Sequence, residues 1–552
     1  MTGSPDRIHP AARMHADEFR AGRISRREFL TRATALGVTA TAAYGLIGAA
    51  RPALAQGATP EQGGTLRIQQ EIIALKDPRL WDWTEIGNFG RTWLEYLIEY
   101  NRDGTFRGML AESWEVNDDA TEFVFRLRPN VTWSNGDAFT AEDVVHNFRR
   151  WSDASVEGNS MATRMGNLVD PDTSALREGA VTAEDDLTVR VVLPTPDITL
   201  IASLSDYPAA ITHRSYGGGD IMEDPIGTGP YRPVSYEVGI RGVVERSETP
   251  WWGTDVYGGP YLDRIEYIDY GTDPAASLSA IEAGEVDMLY ESVGEFIEIM
   301  DSLDLQKSEA ITSNTLVIRT NQKAEVDGRT PYGEAAVRRA LAMAVDNSVL
   351  LELGYSGLGT VAENHHVSPI HPEYAPVDRL PYDPDQARTI LEEAGMGDYT
   401  HTLVSLDDGY QRDTCDAVAA QLRDAGINVE RQILPGSTYW NDWLKFPFSA
   451  TEWNGRPLGV QVLGLAYRSG VPWNESGYAS DEFDDLLTQA NGIADADTRS
   501  EVMAKIEKLM LQDGVIIQPY WRSTFRHSVP NLLGAEMHPA FEIHPYKLGF
   551  AS

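Results

Sequence analysis

Hydrophobic and polar positions alternate between two periods along this chain. In TEFVFRLRP, Phe123, Phe125 and Leu127 alternate with Val124, Arg126 and Arg128, the two-residue period of a strand with one buried face. Asn135-Gly136 then turns the chain, and Thr140 with Asp143 forms a capping box opening a helix with Val144, Val145 and Phe148 on one side. Asp383-Pro384 starts and Gly395 stops a helix presenting Ala387, Ile390, Leu391 and Ala394. Another follows Pro331-Tyr332, with Val337, Ala340, Leu341 and Ala344 at core spacing. The strand INVERQIL from Ile427 comes directly after the helix of AVAAQLRDAG. Helices and strands that trade places this regularly predict an α/β fold. No internal repeat interrupts them, and Gly217-Gly218-Gly219 and Gly227-Thr228-Gly229-Pro230 are the candidate loops or hinges.

The first 55 residues break this pattern. ISRREFLTRATALGVTATAAYGLIGAARPALAQG pairs Arg26 with Arg27, continues in a weakly apolar run from Ala33 to Ala50, and reaches the small-residue site Ala53-Leu54-Ala55 ahead of Gln56. Ser25 to Leu30 resembles the twin-arginine export signal, departing in Thr31, where that pattern often carries lysine. The run is too short and too rich in Ala, Gly and Thr for a stable membrane span. Export by the twin-arginine pathway to the periplasm, with cleavage after Ala55, is therefore expected. The start Gln56-Gly57 offers no cysteine for a lipid, and the single cysteine, Cys415, excludes an intrachain disulfide.

At 552 residues the chain exceeds one core, so two or more domains are expected, and 42% hydrophobic with 23% charged residues describes a folded, soluble protein. The leader holds eight arginines and four acids, which leaves 38 basic and 79 acidic residues beyond it, net −41. Nucleic acid and anionic lipid would be repelled, whereas cation-rich ligands remain compatible. No G-x-S-x-G, H-E-x-x-H, P-loop or C-x-x-C motif is present, and no cofactor is implied. One loop resembles a metal site: ENHHVSPIHP carries Glu363, His365, His366 and His371. Adjacent histidines in an extended segment point to opposite faces and Pro369 and Pro372 stiffen it, so a structural loop is the expected role and nickel or zinc binding the alternative.

Several stretches resemble one family at corresponding places. They are GGTLRI at 63, DGTFRGMLAESWEVNDDATEFVFRLRPNVTWSNGDAFTAEDVVHNFRRW at 103–151, PIGTGPYRP at 225 and WWGTDVYGGPYLDRIEYIDYGTDPAASLSAIEAGEVDM at 251. AAVRRALAMAVDNSVLLELGYSG at 335, YDPDQARTILEEAG at 382 and AVAAQLRDAGINVE at 417 complete the set. Together they resemble the family 5 solute-binding proteins, extracytoplasmic receptors of ABC importers for peptides, nickel and related solutes. The resemblance implies a periplasmic binding protein fold of type II: two α/β lobes closing over a ligand cleft, with an extra subdomain. The first lobe would comprise 56–91, 226–316 and 511–552, its extension 92–225 and the second lobe 317–510. It further implies capture without catalysis, a monomer, and delivery of a peptide-like or other small organic solute to a membrane permease. A nickel or metal-chelate receptor using His365, His366 and His371 is the alternative within the family. A secreted hydrolase exported folded, or a chaperone-like or signalling receptor on the same fold, stands outside it.

The resemblance also assigns a pocket. Peptide-binding members carry, three positions after a tryptophan, an acid that pairs with the peptide's ammonium group. Here the tryptophan is Trp453 and the third position is Arg456, so the charge is inverted. Arg456 either grips an anionic or carboxylate-bearing part of the solute or pairs internally with an acid such as Glu452 or Glu475. Trp81 and Trp83 in the first inter-lobe loop, Tyr410 in a second loop, and Asn454, Trp473 and Asn474 beside the arginine segment are the other expected ligand contacts.

Overall fold

The computed structural model describes residues 8–49, 59–117, 120–294, 296–371, 373–493 and 496–551. Its largest sheet has eleven strands, numbered here in chain order: β1 (Thr65–Gln69), β2 (Tyr231–Glu237), β3 (Arg241–Arg246), β4 (Arg264–Ile268), β5 (Met288–Leu289), β6 (Gln306–Thr320), β7 (Gly359–Val361), β8 (His401–Leu406), β9 (Val429–Leu434), β10 (Phe448–Trp453) and β11 (Tyr520–Ser528). They run β2-β3-β4-β1-β5-β11-β6-β10-β8-β9, with β7 beside β11.

Two parallel groups lie at either end of this order. β4, β1 and β5 are parallel to one another, as are β10, β8 and β9. Between them β11 and β6 run antiparallel to each other and to their outer neighbours. Residues 306–311 of β6 pair with the end of β11, and residues 315–320 pair with β10, so this one long strand passes from the first half to the second. The first group runs along β6 and the second against it. Their carboxyl ends therefore face each other across the middle of β6, where the register shifts between Ile311 and Thr315.

The predicted elements are present. The strand Glu122–Leu127 sits in a separate four-stranded antiparallel sheet, and Asp143 accepts the Thr140 N–H at 2.9 Å to cap the helix Ala141–Trp151. Gly395, at φ 71°, ends the helix Pro384–Glu393 in the left-handed region that glycine adopts without strain. One expectation changes and one, the loop at Gly227–Pro230, is sharpened. Tyr410 belongs to the first turn of the helix Gly409–Asp424, because Asp408 is extended and the chain coils immediately after it. Gly227 and Gly229 mark close packing: a Cβ on either would meet the Trp93 backbone at 2.0 to 2.9 Å.

The N-terminal segment is described over residues 8–49, so the expected cleavage site at Ala53–Ala55 lies outside the described residues. Its helices Pro10–Arg20, Arg26–Ala35 and Ala40–Leu46 enclose a small apolar cluster around Phe29 and Leu30. Ser25 caps the middle helix, and Thr31 donates to the Gly104 carbonyl at 2.6 Å, tying the leader to the body. No helix among the described residues is long and apolar enough to cross a membrane.

Candidate functional site

A cavity of about 90 Å³ lies where the two sets of carboxyl ends meet. Glu71 follows β1, Tyr290 and Glu291 follow β5, Asp408 follows β8, and Glu452 is the last residue but one of β10. The helix Thr84–Gly90 adds Glu85, while Trp83 and Trp440, with ring centroids 4.2 Å apart, form an aromatic wall. Crevices outside the carboxyl ends of parallel strands are where open α/β sheets bind ligands, because loops from several strands converge there.

The chamber is acidic. Five carboxylates line it, and no lysine or arginine does among the described residues. Arg522, behind the wall, pairs with Glu291 and, at 3.2 Å, with Glu452, and donates to the Tyr410 hydroxyl at 2.9 Å. Tyr410 also donates to Glu452. Burial, reinforced by Glu85, Asp269 and Glu452, pushes Glu71 up to about 8. Burial and then Glu452 push Glu85 to about 8, and burial with Glu452 and Glu291 holds Asp408 well above the carboxylate range. Like charges crowded into a low-dielectric cleft cannot all ionise together.

Arg456 sits in a second cluster. Its Nε donates to Asp206 at 3.0 Å, one terminal nitrogen to the Asn454 carbonyl at 2.8 Å and the other to the Tyr207 hydroxyl at 3.3 Å. Arg164 shares Asp206 through two bonds of 2.9 and 2.6 Å. Burial alone would raise the Asp206 carboxyl, but Arg164 and Arg456 together hold it below its ordinary value. Arg456 thus meets an internal acid, and that acid is neither Glu452 nor Glu475.

The expected site residues divide accordingly. Trp83 lines the acidic cavity, and Tyr410 reaches it through Glu452. Asn454 bonds Thr84 at 2.7 Å, bringing the Arg456 segment against the helix that carries Glu85. Trp453 donates to Glu475 at 2.7 Å and packs edge-on to Trp473, over which Arg164 lies at 4.8 Å. Trp81 is wholly buried against Gly90 and donates to the Lys76 carbonyl. The Asn474 amide binds three carbonyls of its own loop. Glu71, Glu85, Glu291, Asp408, Trp440 and Arg522 were not legible as site residues; the excess of acid over base was the one signal pointing to them.

The histidines do not converge. His366 pairs with the Tyr467 hydroxyl at 2.6 Å, and His371 uses one nitrogen for the Arg456 carbonyl and the other for the Ser368 N–H. His365 stands 3.9 Å from both Glu363 and Glu507. Among the described residues, the one trio with ligand atoms close enough for a metal is His538, Glu542 and His544. There Lys547 lies 2.7 Å from His544 and Arg91 3.1 Å from Glu542, so two cations already occupy that corner.

Comparison with known proteins converges on one group. Residues 105–473 match the profile of bacterial extracellular solute-binding proteins, family 5 Middle. Heme-binding protein A of Haemophilus influenzae is 25% identical over 456 residues, covering 75% of this chain and 79% of that protein. Dipeptide-binding protein DppE of Bacillus subtilis is 23% identical, with 83% and 86% covered. In structure, the oligopeptide-binding protein AppA of Bacillus subtilis, solved with a nonapeptide, superposes with a TM-score of 0.77 at 20% identity, over 90% of this chain and 100% of that one.

Proposed function

Because the chain belongs to the family 5 bacterial extracellular solute-binding proteins, we propose that it captures a peptide-like or other small organic solute and presents it to the membrane permease of an ABC importer. The observation that carries this is the chamber between the facing carboxyl ends of the two parallel strand groups. A solute that binds both walls favours the closed arrangement by its differential affinity, and that arrangement is what a permease would read. The lobes are placed at 56–91 with 226–316 and 511–552, and at 317–510, with 92–225 as the extension of the first.

The finer assignments belong to the same reading. The receptor acts as a monomer and turns nothing over. Ser25–Leu30 directs export by the twin-arginine pathway, cleavage follows Ala55, and the protein works in the periplasm. Titration calorimetry against peptides, opines, sugars, haem and nickel tests it, alongside mass spectrometry of whatever co-purifies. Binding heat with the solute recovered intact is expected. Chemical conversion of any bound compound would refute the receptor-only reading.

A further inference from the structure

The acidic chamber carries information about the charge of the solute. Three acceptors buried in its lining, Glu85 Oε2, Asp408 Oδ1 and Gln411 Oε1, find no hydrogen-bond donor among the described residues, and the Trp440 indole N–H finds no acceptor. Glu85 is 8% exposed and Gln411 1%. Gln411 turns its NH₂ toward Asp408, which leaves its carbonyl oxygen for the cavity. Buried acceptors without donors are rare in folded proteins because their desolvation goes uncompensated. What the three acceptors lack is a donor or a positive charge, and they outnumber the one donor left over, the Trp440 N–H.

We propose that the solute carries an alkylammonium or guanidinium group, and that this group enters the chamber between Glu71, Glu85 and Asp408 with its carbon stem against Trp83 and Trp440. The assignment rests on the receptor reading and names the solute's charge class. An organic cation fits better than a bare metal ion, since no three of these carboxylates bring ligand atoms close enough together for one. Indoles are also poor metal ligands and good neighbours for an ammonium or guanidinium. Arg456, already bound to Asp206, does not compete for the cation's partners.

The electrostatics agree. Glu71 faces Glu85, Asp269 and Glu452; Glu85 faces Glu452, Glu291 and the Tyr290 hydroxyl; Asp408 faces Glu452, Glu291, Glu71 and Arg522. All three are pushed toward their protonated forms by burial and by one another's charge. A cation entering among them restores their charge and expels protons, so binding is coupled to proton release.

Calorimetry of the full chain at pH 7, in two buffers of different ionisation enthalpy, tests this. The panel is putrescine, agmatine, lysine- and arginine-containing dipeptides, 1,4-butanediol, succinate and Ni²⁺ alone. Cationic members are expected to bind with net proton release. Glu85→Gln and Asp408→Asn, both checked for native circular dichroism, should each weaken them by about ten- to a hundredfold, the loss of one charge-assisted hydrogen bond. Glu85→Gln should also reduce the protons released. Heat from butanediol or succinate but from no cation would overturn the charge assignment and leave the receptor reading standing. Ni²⁺ binding lost in these variants, with no organic cation bound, would replace the organic cation by a metal. Silence from the whole panel would overturn the charge assignment, and the receptor reading would then be judged on the co-purified solute.

Discussion

Glu85→Gln should make the empty protein more stable at neutral pH while making it a poorer receptor. Glu85 sits in the first turn of the helix Thr84–Gly90, buried, with its carboxyl raised from 4.5 to about 8 by burial and by Glu452. The folded state thus binds a proton that the unfolded chain releases between pH 4.5 and 8. Stability falls as pH rises through that window and falls no further above it. At pH 7 the unfolded side chain is ionised and the folded one mostly is not, a difference of about 2.5 pH units and hence about 3 kcal/mol. Glutamine keeps the shape and carries no such proton. Urea unfolding followed by tryptophan fluorescence, on protein stripped of solute, should show the variant about 3 kcal/mol more stable at pH 7 and level with the parent at pH 4.5. A difference that did not change with pH, or a loss of stability at pH 7, would refute the reasoning, for then Glu85 would be held by partners that favour its charge.

Other outcomes follow from the rest of the structure. Asp206→Ala strands Arg164 and Arg456 together and should cost about 3–5 kcal/mol, whereas Arg456→Ala leaves Asp206 with both Arg164 bonds and should cost about 1–2; equal losses in urea unfolding would contradict this. Burial holds His365 and His371 down at about 3 and His401 at about 4, so in the unfolded chain these side chains take up protons below pH 6.5 that they refuse in the folded one, and their contribution to stability drops as pH falls from 6.5 toward 4. His401→Gln should flatten that fall by about 1.4 kcal/mol per pH unit in unfolding measured at pH 6.5 and 5. Burial pushes the Cys415 thiol up to about 12, so Ellman's reagent should leave the native protein unmodified and label it in urea; rapid native labelling would show that the helix Gly409–Asp424 opens.

How much of this was legible in the sequence varied with the range of the interaction. Strands and helices set by local periodicity and caps, such as Glu122–Leu127 and Ala141–Trp151, could be read directly. The family could be read too, because its motifs are contiguous. The binding chamber could not: Glu71, Glu85, Asp408 and Glu452 come from four separated segments, and each alone resembles any solvated acid. Arg456 shows the same limit. Its inverted charge was visible, but its partner Asp206 lies 250 residues away in sequence and nothing local points to it. Trp81, by contrast, misled by its neighbourhood: two residues before the cavity-lining Trp83, it closes the tight turn Pro78–Leu80, and its ring packs against Gly90 instead of entering the cavity.

The register break in β6 has a consequence for how such a receptor can change over generations. Thr312, Ser313 and Asn314 fill the break: Thr312 donates to the Arg522 carbonyl, Ser313 to the Arg456 carbonyl, and Asn314 accepts from the Gly455 N–H. The spot where the two halves of the sheet join is thus the spot that holds the 454–456 segment in place. A substitution there acts on both at once, on the pairing of the two halves and on the setting of Arg456 beside Asp206. Glu71, Trp83, Glu85 and Trp440 of the chamber wall take no part in these bonds and can vary without disturbing the join, while inheritance at these three positions is bound to be pleiotropic.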